Sequence, residues 1–307
     1  MKEAELLAQI QAIFQRPRKS NLLVPNGDDG AVFAASSKVI ACADVAVEGV
    51  HFDLSWSSYL EVGRKITAAN LADICAMGGW PEFLVVTVTL AKRHLTGVIE
   101  LAKGIATEAD LVGAQVIGGD ISSGDQLTIS ITALGQTDKP ILRSGAKVGD
   151  RVLVSHLPGL SAAGLDILRL DLAVESELKD RAIAQHKSPT IDYGRYREAY
   201  SELNSAIDVS DGLIIDAGHI AASSGVRIEI DSNILKTSEL KELDQDKYLS
   251  WVLAGGEDHV LLGTAARAIP GFIEIGKVVA GSGVGLDGKD LTSEELKAGG
   301  WSHSWGS

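Results

Sequence analysis

The chain has 307 residues, with 28 Lys+Arg against 41 Asp+Glu, a formal net charge of −13, and 45% hydrophobic residues. That length predicts two domains at roughly 100–200 residues each, and the apolar share is ample for packed cores. The acid excess excludes a dedicated nucleic-acid binder, which needs a basic surface, and argues against docking on anionic lipid. Abundant glycine (33) and an aromatic share of only 5% favour an α/β protein with backbone-lined turns. Cys42 and Cys75 form neither a CxxC pair nor a disulfide framework, so a reducing cytoplasm is the expected compartment. The N-terminal stretch carries Glu3 and Glu5 without a continuous apolar run, unlike a signal peptide. The longest apolar stretch, 83–91, is broken by threonines and falls far short of the roughly 20 residues that span a bilayer.

Along the chain, Leu6, Leu7, Ile10, Ile13 and Phe14 predict an amphipathic helix over 3–15. Short strands follow at 31–33 and 39–43. A long helix starts near Ser58 and runs through Val62, Ile66, Ala69 and Ile74 to Met77, where Gly78-Gly79 stops it. Residues 83–90 read as a strand, 96–112 as a helix with Thr96 at the cap position, and 127–134 as an alternating strand. The polar stretch 145–150 reads as a connection, so the boundary is placed at 148, giving domains 1–148 and 149–307. The second domain predicts strands at 152–154, 206–209, 226–230, 260–262 and 272–279. Its helices are expected at 161–172, 194–203, 212–223 and 245–253. The glycine-rich 281–285 reads as a turn, and no internal repeat is present.

The informative feature is where the aspartates sit. Gly27-Asp28-Asp29-Gly30, Cys42-Ala43-Asp44, Asn70-Leu71-Ala72-Asp73, Gly118-Gly119-Asp120 and Asp208-Val209-Ser210-Asp211-Gly212 each set Asp beside small residues, at a strand end or within a helix. Strand ends in α/β proteins are where ligands bind. Short carboxylates suit hard cations such as Mg²⁺, which takes one or two of them together with phosphate oxygens. Several converging on a polyphosphate would perform the main electrostatic task of phosphoryl transfer. Taken singly, each segment is also an ordinary turn composition, and Ser210 or Asp211 could simply cap the helix beginning at 212. Asp73 is different, because it lies inside an apolar helical run where an unpaired carboxylate is costly.

Other chemistries lack their signatures. There is no GxxxxGK[ST] loop, no HRD or DFG, no GxSxG elbow, and no HxxxH or HExxH pair for zinc.

In this order, these segments resemble the thiamine-monophosphate kinase family, within the superfamily that includes aminoimidazole ribonucleotide synthetase and selenophosphate synthetase. The resemblance runs from about residue 25 to the C-terminus. It is carried by 27–32 (GDDGAV), 47–52 (VEGVHF), 70–78 (NLADICAMG), 118–120 (GGD), 143–150 (RSGAKVGD), 208–213 (DVSDGL) and 255–258 (GGED). It implies a two-domain α/β (α+β type) fold like that of aminoimidazole ribonucleotide synthetase, in which the N-terminal sheet domain forms a homodimer and binds ATP and Mg²⁺, beside a C-terminal α/β domain. The implied reaction is direct in-line transfer of the ATP γ-phosphoryl group to thiamine monophosphate, with several Mg²⁺ ions, ATP as co-substrate, and neither nucleic acid nor membrane as partner. By motif position, Asp29, Asp44, Asp73, Asp120, Asp208 and Asp211 would hold metal. Gly119, Asp120, Arg143 and Ser210 would contact ATP. His51, Glu257 and Trp301 would contact thiamine monophosphate, whose cationic thiazolium suits a carboxylate or an aromatic face. The chain departs from the family pattern at Cys42-Ala43, where hydroxyl residues are usual, at Ile121 in place of Thr, and in the tail, where Trp305 stands in place of Phe. A purine-pathway or selenophosphate synthetase is the alternative enzyme, and a non-catalytic nucleotide or Mg²⁺ sensor the alternative outside enzymes.

Overall fold

The computed structural model describes residues 3–26, 29–170 and 176–291. The chain divides into two compact units, Met1–Pro140 and Ile141–Ser307. The division lies ahead of the expected 148 because residues 141–150 are hydrogen-bonded into the second unit. Leu142 O accepts from Ala206 N at 3.1 Å and Gly145 N donates to Ser224 Oγ at 3.1 Å. The Asp150 carboxylate accepts from Lys147 N and from Asn204 Nδ2.

In the first unit, α1 (Glu3–Phe14) precedes an antiparallel pair, β1 (Leu22–Val24) and β2 (Val32–Phe33). Then come β3 (Lys38–Val47), α2 (Tyr59–Ala76), β4 (Trp80–Leu90), α3 (Val98–Asp110), β5 (Gln115–Ser123) and β6 (Thr128–Thr137). The sheet runs β3-β6-β4-β5, with only β4 and β5 parallel. Ser58 caps α2 in a full capping box with Glu61, which sets the start that the apolar spacing predicts. Thr96 does not cap α3. Gly97 N donates to His94 O and closes a turn, so the helix begins after Gly97, and a Cβ there would fall 2.2 Å from the Tyr59 ring.

The strand β5 is longer than its sequence suggests, since two glycines and an aspartate read as a turn. It pairs along β4 because Gly119 lies against Val86 O, where a Cβ would approach to 1.9 Å. Alternation along β3 buries Ile40 and Ala46 on the α2 side and leaves Val39, Ala41, Ala43 and Val45 exposed on the other face.

In the second unit the elements are β7 (Arg151–Val154), α4 (Leu160–Leu170), α5 (Glu177–Lys187), α6 (Tyr193–Ala199), β8 (Ser205–Val209), α7 (Leu213–Ser224), β9 (Arg227–Ile230), α8 (Ser232–Leu235), α9 (Tyr248–Ala254), β10 (Val260–Ala265), β11 (Ile273–Val279), β12 (Gly283–Leu286) and β13 (Lys289–Asp290). The sheet order is β13-β12-β9-β11-β7-β10-β8. Its core includes Val154, Leu213, Ile228, Val252, Leu262 and Ile275. The expected turn at 281–285 is corrected in part: Gly283–Leu286 pairs in parallel with β9, and Gly285 lies close beneath the Arg227 side chain. Among the described residues, no helix is long and apolar enough to cross a membrane.

Candidate functional site

The first unit holds one set of the expected residues. Asp44 sits on β3 with its N–H donating to Asn70 Oδ1 of α2 at 3.2 Å. Between them, the Cys42 thiol contacts Asn70 O at 3.3 Å and hydrogen-bonds Asp73. Burial, then the charges of Asp73 and Asp44, push that thiol well above its ordinary range. Asp44 and Asp73 are therefore brought together around Cys42, where the thiol stands in the place of a hydroxyl.

Asp120 does not join them on that face. It pairs with Thr87 in register on the edge strand β5, exposed, on the side of the sheet that also bears Ser130 and Val45. Asp29 is exposed in the bend between β1 and β2. His51 lies in the turn after β3, its Nδ1 accepting from Val47 N at 3.1 Å, so its neutral ring carries the hydrogen on Nε2.

In the second unit, Asp208 is the penultimate residue of β8 and is buried, and its Oδ2 accepts from His259 Nδ1 at 3.0 Å. Ser210 and Asp211 follow in the turn before α7, whose N-cap position is Gly212 and so offers no side-chain cap. Asp216, one turn into α7, does the work instead. Its Oδ2 accepts from the N–H groups of Ser210, Asp211 and Gly212 at 3.1, 3.1 and 3.2 Å. Burial and the neighbouring Asp208 charge push its carboxyl up to about 7. Ligand atoms of Asp211, Asp216 and His219 all lie within 4.8 Å of one another. Crowded carboxylate oxygens of this kind fit a hard divalent cation, whose charge would relieve their mutual repulsion.

Glu257 and His259 both adopt left-handed backbone, at φ 63° and 52°. Such strain in non-glycine residues persists only where the surroundings hold it. Here Glu257 N donates to Ser210 O at 2.8 Å, His259 N to Val209 O at 3.0 Å, and Tyr196 OH to His259 O. Asp258, buried between them, accepts from Gly159 N at 2.5 Å and Ser161 N at 2.9 Å. Arg143 is exposed, its carbonyl accepting from Ser224 Oγ. Trp301 lies outside the described residues.

Residues 27–137 match the family described as AIR synthase related protein, N-terminal domain. Over 289 residues the chain is 35% identical to the thiamine-monophosphate kinase of Aquifex aeolicus (strain VF5), covering 90% of this chain and 92% of that protein. The chain belongs to the thiamine-monophosphate kinase family. The Mycobacterium tuberculosis (strain ATCC 25618 / H37Rv) member is 37% identical over 290 residues, covering 90% of this chain and 86% of its own. Among solved structures, the kinase from Stenotrophomonas maltophilia K279a superposes with a TM-score of 0.83 at 29% identity, covering 95% and 98% of the two chains. The structure of AaThiL complexed with AMPPCP and TMP gives 0.81 at 32% identity, covering 99% of each. The fold is that of the aminoimidazole ribonucleotide synthetase-like superfamily.

Family motifs locate Asp208, Ser210, Asp211 and Glu257, but the sequence reading missed Asp216, His219, His186 and His259. Asp216 had a signal: it interrupts an apolar helical run, as Asp73 does.

Proposed function

We propose that this protein transfers the γ-phosphoryl group of ATP to thiamine monophosphate, giving thiamine diphosphate and ADP. The observation that carries the proposal is its likeness, over 99% of both chains at 32% identity, to AaThiL, whose structure holds AMPPCP and TMP. The acceptor is already a phosphate anion, so the reaction needs charge neutralisation and alignment more than a general base. The bond from the γ-phosphorus to the β-bridging oxygen breaks as an oxygen of the acceptor phosphate bonds to that phosphorus.

Asp29, Asp44, Asp73, Asp120, Asp208 and Asp211 are assigned to Mg²⁺, and the oxygen-rich clusters at Asp44–Asp73 and Asp211–Asp216 support that assignment. Bound Mg²⁺ would supply charge neutralisation to the phosphates. Gly119 and Ser210 would offer backbone and hydroxyl groups to ATP, and Arg143 a planar fork of donors. His51, Glu257 and Trp301 are assigned to thiamine monophosphate. Asp216 holds the Ser210–Asp211 turn in place for these roles.

We read the protein as a homodimer joined through its first unit, supported by the exposed apolar row Val39, Ala41, Ala43 and Val45. Cys42 and Cys75 form no disulfide with each other, which accords with a cytoplasmic location. The test is an assay for ADP and thiamine diphosphate in the presence of ATP, Mg²⁺ and thiamine monophosphate. Stoichiometric appearance of both products is expected. ATP binding without turnover would instead identify a sensor, and ADP release stimulated by a purine-pathway amidine would identify a synthetase.

A further inference from the structure

The buried histidine of α5, His186, has no part in the reaction as described above, yet it reaches the loop that bears Glu257. Its Nδ1 lies 3.3 Å from Ser161 Oγ and 3.6 Å from Glu257 Oε2. His186 and Ser161 are buried, whereas the Glu257 side chain keeps 35% of its surface open to solvent. Both contacts fall on one ring nitrogen, so the three residues cannot form a serine–histidine–acid relay, which uses both nitrogens. One nitrogen bears at most one hydrogen. A carboxylate only accepts, so a stable approach of Glu257 requires hydrogen on Nδ1, and the Ser161 hydroxyl then accepts or turns away.

The backbone of 257–259 does not depend on this contact. Ser210 O, Val209 O, Tyr196 OH and the Asp258 carboxylate hold the loop. His186 therefore bears on the direction of the Glu257 side chain, a part-exposed carboxylate on a stem with three rotatable bonds.

We propose that His186 is a positioning residue: it fixes the Glu257 carboxylate in the orientation that receives the cationic thiazolium of thiamine monophosphate. The proposal rests on the substrate reading given above. It differs from a packing role for His186 because only one of the two substrates should respond.

The test is steady-state kinetics with each substrate varied on wild type, His186→Leu, His186→Asn, Glu257→Gln and the His186→Leu/Glu257→Gln double variant. The Asn amide nitrogen takes the place of Nδ1 and keeps its donor. For His186→Leu, KM for thiamine monophosphate is expected to rise about tenfold with KM for ATP unchanged, the loss of one charge-assisted contact. His186→Asn should stay within about threefold of wild type, and His186→Leu should add nothing in the Glu257→Gln background. An equal rise in both KM values, no rescue by Asn, or the same rise in the Glu257→Gln background overturns the proposal. Glu257→Gln with unchanged KM for thiamine monophosphate overturns it together with the substrate role of Glu257. A wild-type protein that makes no thiamine diphosphate overturns the activity on which both rest.

Discussion

The Asp258 carboxyl is fully enclosed, and burial raises it to about 6 although the Gly159 and Ser161 N–H groups favour its charged form. The folded protein thus holds this proton up to about pH 6, whereas the unfolded chain releases it near 3.8. Between those values the folded state binds more protons, so this group's contribution to stability falls as pH rises through the window and is level above it. A shift of two units corresponds to about 3 kcal/mol. Asp258→Asn removes the titration and adds a pH-independent penalty of its own, about 1–3 kcal/mol, by turning an amide NH₂ towards one of the two donors, so only the wild-type term at this site varies with pH. Urea midpoints at pH 4, 5 and 7 should show the variant's deficit shrinking as pH rises. A deficit independent of pH would sink the argument. Asp73 and Asp120 have a different character, because they are assigned to chemistry. Asp73→Asn and Asp120→Asn should each lower turnover by at least about a hundredfold, while circular-dichroism melts stay close to wild type. Turnover like that of wild type in either variant would remove it from the metal set.

At the scale of elements, glycine sets how closely helices approach. A Cβ on Gly63 of α2 would fall 2.2 Å from Leu101 O, and one on Gly104 of α3 would fall 2.1 Å from Leu60 O. The two helices meet backbone to backbone at both points. Gly104→Ala gains about 1 kcal/mol of helix propensity, but the contact atom is main chain and cannot rotate away, so the helices must separate. A net loss of about 1–3 kcal/mol is expected, read as a lower urea midpoint; a midpoint at or above wild type would show that the crossing gives way freely. Gly149, at φ 97° with open space around its Cβ position, serves as a control for backbone strain alone. Elements like α2 were legible in the sequence because apolar spacing, the Ser58 cap and the Gly78-Gly79 stop agree. The helix α5 was not, since ELKDRAIAQHK buries only Leu178, Ala182, Gln185 and His186 and shows no apolar stripe. The strand β5 was hidden because its glycines answer a tertiary demand, the nearness of Val86 O, which no local pattern reports. The same limit applies to the site. Motif order located the aspartates, but the histidines that contact Asp208 and Glu257 belong to long-range packing: His259 meets Asp208 across adjacent strands, and His186 meets Glu257 from α5.

At the scale of the whole molecule, the first unit leaves one face of its sheet partly unclothed. Val39 and Val45 expose 45% and 50% of their surface, with Ala41 and Ala43 between them on the same side of β3. In register beside them on β6 stand Gln136, Leu134, Thr132 and Ser130. A row of small apolar groups with Thr132 and Ser130 beside it carries no charge of its own and is well suited to pairing with its own copy. In a two-fold interface a single substitution enters twice. Ala41→Glu would place two carboxylates in the contact, each costing several kcal/mol if buried, and would weaken the dimer by at least about a hundredfold. Light scattering after gel filtration at micromolar concentration should then give a dimer mass for wild type and a monomer mass for the variant. Leu111→Glu, at an exposed position beyond the end of α3, adds the same charge away from this face and should leave the dimer intact. A monomeric wild type, or a dimer that tolerates Ala41→Glu as well as it tolerates Leu111→Glu, would show that this face meets no second copy.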